Sequence, residues 1–286
     1  MDRQSRSPAA ARPIARAAGL RVLAGAGLLL LAAPGPGEVT AQEQAPLPDG
    51  PYASRQVVTS RTSPGPRARP IPVRTIGLVL HEVRRADGEI HVSTRYCALR
   101  QDPIGRVRTV LDSAYVAALP AWEARVEVES RAEAESGPAE EASAGQWTVR
   151  VAEHAAVVGA RLDDPGFDPL PAEADDPRVT DPDEDGEPGV TVRVEGFVSG
   201  EVYLVQRLVR GLEGTLDAAG RMRGRVTGRT EQRTIGASNL LLRAFTPTFE
   251  PDPDPARNTF DWAPLTPGEG CGTVVAAEDR LFGPLD

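Results

Sequence analysis

From residue 71 onward, apolar and polar positions alternate in one short segment after another, the pattern of extended chain with one face turned inward. The runs "TIGLVLHEV" and "EIHVSTRYCAL" flank Asp87-Gly88, a dipeptide suited to a tight hairpin turn, and this register sets residue 81 opposite 94 and 84 opposite 91. Further strands are expected at "RVRTVL", "WEARVEVE", "QWTVRVAEH", "AAVVGARL", "VTVRVEGFV", "EVYLVQRLV", "RMRGRVTGRTEQRTI", "NLLLRAF" and "GTVVAAE", with a single short helix over 113–119. Strands at this spacing define an all-β fold: an antiparallel barrel-like or sandwich domain with long acidic loops.

Two segments favour the barrel-like form. In "RMRGRVTGRT", Met222, Gly224, Val226 and Gly228 share one face and Arg221, Arg223, Arg225 and Thr227 the other. Inward glycines let a strand bend at a barrel wall. In "EVYLVQRLV", Val202, Leu204 and Leu208 oppose Tyr203, Val205 and Val209, which describes a wall covered on both sides.

The two ends of the chain change the picture. Arginines at 3, 6, 12, 16 and 21 precede the apolar run "VLAGAGLLLLAA" and a Pro-Gly break, so 1–41 is expected to be a signal peptide that directs export to a periplasmic or extracellular space. Residues 42–70, rich in proline, serine and arginine, are expected to be a disordered linker, leaving 71–286 as the antiparallel β domain. Acidic loops are expected over 129–145 and 163–189 within that domain. The leader carries five arginines against Asp2 and Glu38, so its removal takes the formal charge from −9 to −12. That acidity argues against nucleic acid as a partner. The arginine stripe on an outward face argues against a membrane-spanning barrel.

All 32 basic residues are arginine, and this excludes several chemistries. Without lysine there is no phosphate-binding loop of the Walker type, no Schiff base and no S-x-x-K hydrolase. The two cysteines, Cys97 and Cys271, are expected to form one disulfide in an oxidising compartment.

One motif points to a metal. In "DPDEDGEPG" (181–189), Asp181, Asp183 and Asp185 stand at every second position, Gly186 permits a sharp turn, and the main chain of Glu187 offers a carbonyl. The stretch resembles the D-x-D-x-D-G calcium loops of thrombospondin type 3 repeats and dockerin modules, and similar loops of secreted bacterial proteins. The resemblance covers this loop alone and implies a structural calcium ion; the same carboxylates among prolines also fit a solvated acidic hinge that their mutual repulsion keeps extended. It departs from the helix-loop-helix pattern at position 12, where Val192 replaces the bidentate glutamate, so further oxygens are sought from Asp176, Asp175, Glu195 or water.

Other candidate residues are fewer. His81 and His91 fall on opposite faces of the predicted hairpin and cannot share a zinc ion. His81 and Tyr96 are expected on the inward face, as core residues or as the wall of a ligand cavity. Arg221, Arg223, Arg225, Arg229 and Arg233, with Arg207 and Arg210 on a neighbouring strand, are expected to form either a cross-strand ion-pairing face or an anion-binding face. Three functions remain open: a non-enzymatic binding or envelope-interaction module with a calcium loop, a lipocalin-like barrel holding a small apolar ligand, and a secreted hydrolase using acidic residues. The partners these readings imply are an envelope component, an anionic polymer or the apolar ligand.

Overall fold

In the computed structural model, the residues described are 47–63, 69–130, 147–244 and 249–285. The expected signal peptide and most of the first expected acidic loop lie outside them. Eleven strands form one antiparallel sheet. In chain order they are β1 (Gly50–Thr62), β2 (Ile71–Ala86), β3 (Glu89–Gln101), β4 (Arg108–Val110), β5 (Trp122–Ser130) and β6 (Trp147–Val158). After the second acidic loop come β7 (Val190–Glu195), β8 (Gly200–Leu216), β9 (Met222–Ala237), β10 (Phe249–Pro251) and β11 (Thr259–Pro264). Four short α-helices lie among the described residues: α1 (Ser113–Ala118), α2 (Leu240–Ala244), α3 (Cys271–Ala276) and α4 (Glu278–Phe282).

The sheet closes on itself. The path β8-β6-β5-β3-β2-β1-β11-β9 returns to β8 through a long β8–β9 ladder, bulged between Tyr203 and Leu204. Asp87 and Gly88 adopt positive φ in the β2–β3 turn, and His81 pairs with Thr94 and Arg84 with His91, as the turn chemistry predicts. Gly214 and Gly224 lie opposite one another in the β8–β9 ladder. A Cβ on Gly224 would run into the carbonyl oxygen of Glu213, and one on Gly214 into that of Arg223, so glycine is what permits this close approach.

The ring is not a regular barrel. One edge of β8 is shared: β6 pairs with its 206–216 portion and β7 with its 200–204 portion, and β4 then adds to β7. β3 pairs with β5 over 90–94 only. At this end α1 packs against both β3 and β7. Its start is set by Asp112, whose Oδ1 accepts from the N–H groups of Ala114 and Tyr115.

The interior differs from end to end. At one end Trp262, Met222, Leu216, Val83, Val92 and Phe260 pack solidly, each nearly or fully removed from water. Burial on that scale contributes about 1.5–3 kcal/mol per large side chain. The end bounded by β7, α1 and the first half of β8 is hollow.

Two expectations need correction. The stretch expected as linker contains β1, which pairs with both β2 and β11 and stands in the middle of the ring. Its inward residues Ser54, Gln56 and Ser60 are polar because they meet a buried histidine or the hollow, so the strand lacks an apolar stripe. The described part of "NLLLRAF" and most of "GTVVAAE" are helical and not strands. Asn239 Oδ1 caps α2 at Leu242 N–H, and α3 buries Val274 against the outside of the ring. The expected Cys97–Cys271 disulfide is present, with Cα atoms 5.0 Å apart. It ties α3 to the bulged part of β3, over a patch formed by Leu78, Leu80, Ala263, Leu281 and Phe282.

A chain beginning at residue 71 is expected not to fold, because it would leave β2 and β11 without their shared partner. Loss of near-ultraviolet dichroism and of dispersed amide resonances checks this. Replacing both cysteines with serine is expected to lower the unfolding free energy by up to roughly 5 kcal/mol, read from urea melts, since the bridge closes a very long loop.

Candidate functional site

Two places in the fold gather chemistry. The first is the acidic turn. Carboxylate oxygens of Asp181, Asp183 and Asp185 lie within 4.8 Å of one another, close enough to hold a metal ion. The turn is shaped by its own carboxylates. Asp181 accepts from the N–H groups of Asp185 (3.3 Å) and Gly186 (2.9 Å), and Asp185 accepts from Glu187 N–H (2.9 Å). Asp183 reaches out of the turn: its Oδ2 accepts from Thr191 N–H at 2.8 Å, the second residue of β7. Its Oδ1 is buried and has no partner among the described residues. Burial pushes the Asp183 carboxyl above its ordinary value, with the neighbouring Asp185 and Asp181 adding to the effect and the Thr191 N–H opposing it.

Asp176 does not join this cluster. Both of its oxygens bond the Arg178 side chain, at 3.0 and 2.7 Å, and that pairing holds the Asp176 carboxyl down at about 2. Around these residues, the 163–189 loop lies against the outer faces of β8 and β9. Leu162 and Leu170 pack on Tyr203, Val205 and Ile235. Arg207, 4 % exposed, fastens the loop by donating to the carbonyls of Pro165 and Asp168 while pairing with Glu231 at 2.8 Å.

The second place is the hollow end of the ring, a cavity of about 520 Å³. Along β8 its inward residues run Val202, Leu204, Gln206, Leu208, Arg210. The walls near the β7–β8 turn are apolar, with Val192, Val194 and Val198 beside Val202 and Leu204. Farther in they become polar. Tyr115 Oη donates to Gln206 Oε1 at 2.6 Å, and Gln206 Nε2 donates to Gln232 Oε1 at 3.3 Å. Burial raises the Tyr115 hydroxyl well above its ordinary value, so it stays a donor. No carboxylate is among the described residues that line this space.

No family model matches the chain, and neither a curated protein nor a solved structure matches it. The function must therefore be argued from these two places.

The remaining predicted residues divide clearly. Tyr96 lines the cavity. His81 is a core residue beside it: its ring hydrogen-bonds with Ser54 Oγ (2.7 Å) and Thr94 Oγ1 (3.0 Å) and stacks on Trp262 at 3.9 Å between centroids. Of the arginine stripe, Arg223 pairs with Asp261 (3.2 Å), Arg225 with Glu213 (3.8 Å), and Arg221 donates to the carbonyl of Leu281. Arg229 and Arg233 are exposed. Three of the five thus have contacts within the protein.

Gln56, Gln206, Gln232, Tyr115 and Arg210 are among the polar residues of the cavity; the sequence points to Arg210 only as an addition to the anion-binding face, and to none of the other four as a ligand contact. A signal was present in "YLVQRLVR", where glutamine and arginine occupy the same face as the inward leucines.

Burial holds His81 neutral, down to about 3, whereas the unfolded chain takes up its proton near 6.5. The unfolded state therefore binds the extra proton between those values. The stability that neutral His81 contributes is complete above about pH 6.5 and is lost as pH falls toward 3. Melting temperatures across that window are expected to fall more steeply in the native protein than in His81→Gln. Parallel profiles would rule this assignment out.

Proposed function

We propose that this protein is an exported, non-enzymatic binding protein that holds a small, largely apolar molecule in the hollow half of its ring. The observation that carries this reading is the cavity itself, whose volume falls within the ~300–1,000 Å³ of small-molecule sites. Its walls also fit that pattern, with mostly aliphatic side chains and a few convergent polar groups. Phe197 belongs to the lining and is 83 % exposed in the β7–β8 turn, which marks this end as the way in. Strands packed on both faces, such as β8 between the cavity and the acidic loop, keep such a space from collapsing. The disulfide is consistent with an oxidising compartment.

The 181–189 turn enters the same proposal as a structural calcium loop. Three close carboxylates and a buried, unpartnered Asp183 Oδ1 favour a cation there over a merely solvated bend. The ion would neutralise the turn and hold it against the start of β7, which forms part of the cavity wall. A shell completed by water implies an affinity of ~10⁻⁴–10⁻³ M.

Native mass spectrometry of protein purified without delipidation is expected to show a discrete small apolar molecule. The neutral dye N-phenyl-1-naphthylamine is expected to bind with enhanced fluorescence, and Leu208→Trp, which fills the cavity, to abolish the enhancement while the fold persists. A native protein that neither carries a ligand nor takes up dye would defeat the reading. For the turn, millimolar calcium is expected to raise the melting temperature over that in chelator. Asp183→Asn should remove the rise; a rise that survives the substitution places the ion elsewhere.

A further inference from the structure

Of the three buried arginines among the described residues, two have an acid and one does not. Arg55 lies 3.4 Å from Asp261, and Arg207 lies 2.8 Å from Glu231. Arg210 is 8 % exposed and lines the cavity, where no described side chain is a carboxylate. Its Nη1 donates to the carbonyls of Val209 (2.8 Å) and Arg229 (2.9 Å), and its Nη2 to Thr230 Oγ1 (2.6 Å). All three acceptors are neutral. They use three of the five guanidinium N–H groups and leave Nε–H and one N–H on Nη2 without a described acceptor.

A cation removed from water without a counter-charge is unfavourable, and neutral hydrogen bonds offset only part of that cost. The position of Arg210 along the strand shows where a counter-charge could come from. The next inward apolar residues of β8, Leu212 and Leu216, belong to the solid core, so Arg210 stands at the floor of the hollow. Around it are Thr230 and the Gln206–Gln232 pair, joined across the β8–β9 ladder. Gln206 presents its amide nitrogen to Gln232 Oε1, and the Gln232 amide N–H groups remain as further donors in the polar zone. Between this floor and the exposed Phe197 the walls are chiefly valine and leucine. The cavity is thus a donor-rich, positively charged pit with an apolar shaft above it.

We propose that the ligand is a single-tailed amphiphile with an anionic oxygen head, bound head first, its head paired with Arg210 and its tail along the shaft toward Phe197. The assignment rests on the cavity reading above and adds the head group and the orientation. Two free N–H groups on one guanidinium can meet two oxygens of one carboxylate or one phosphate, a geometry that an ammonium or an amide cannot match.

Calorimetric titration of the full native protein with laurate, dodecyl phosphate and dodecanol tests it. The acid, the phosphate or both are expected to bind about 10- to 100-fold more tightly than the alcohol, the range set by charge-assisted hydrogen bonds. The ratio of the two anions identifies the head. Arg210→Gln is expected to abolish the preference, bringing the preferred anion down to the affinity of the alcohol in the same variant. The comparison of anion with alcohol on the native protein stands even if the variant does not fold. Equal affinity for all three ligands would overturn the anionic head while leaving the cavity reading intact. Failure of every amphiphile and of N-phenyl-1-naphthylamine to bind would instead bring down the cavity reading.

Discussion

The seam between β8 and β9 is the contact on which the rest of this structure depends. Both strands are long, and their ladder runs from Val202 opposite Ala237 to Leu216 opposite Met222. It turns an eleven-stranded sheet into a ring and so creates an inside. Without it, the two faces of β8 would be two surfaces of an open sheet. With it, the inward face divides into a hollow and a packed core, and the outward face becomes the bed of the acidic loop. The paired glycines 214 and 224 mark where the backbones come closest.

Arginine does much of the fastening. Arg207 holds the acidic loop by two carbonyls, and Arg55 holds the C-terminal helix by the carbonyls of Gly283 (2.7 Å) and Phe282 (3.1 Å). Arg85 likewise donates to the carbonyl of Leu47 at 2.6 Å, where the chain enters the core. A planar group with five donors suits this task, because it can satisfy several loop carbonyls at once while its charge pairs with a nearby acid. In the absence of lysine, arginine supplies both surface charge and buried anchors. Among the described residues, Arg210 departs from the pattern in having no acid beside it, and that difference gives the cavity floor its character.

The acidic turn and the cavity are physically joined through β7. Asp183 accepts from Thr191 N–H, and the next inward residue, Val192, lines the cavity. A change of charge at the turn therefore acts on the strand that forms one wall of the ligand space. Asp176, drawn into an ion pair with Arg178, serves the base of the same loop and not the cluster. Neighbours in sequence thus divide into groups that hold the loop's shape and groups that present oxygens.

Local chemistry made much of the fold legible in the sequence. Alternation marks most strands, Asp87-Gly88 sets the β2–β3 register, a short helix is legible over 113–119, and the two cysteines pair. These follow from short-range rules, because turn geometry and the two-residue period act within a few positions of the chain. β1 escaped, since its inward residues face a histidine and a half-polar hollow and so lack an apolar stripe. α2 and α3 escaped because a short apolar run reads alike as helix or strand until its neighbours are known. The sequence by itself determined an all-β chain with an aspartate-rich turn. Only the tertiary structure decided that residues as distant as Gln56, Tyr115, Arg210 and Gln232 share one cavity, because ring closure depends on pairings between strands far apart in the chain, and no local pattern encodes which of them meet.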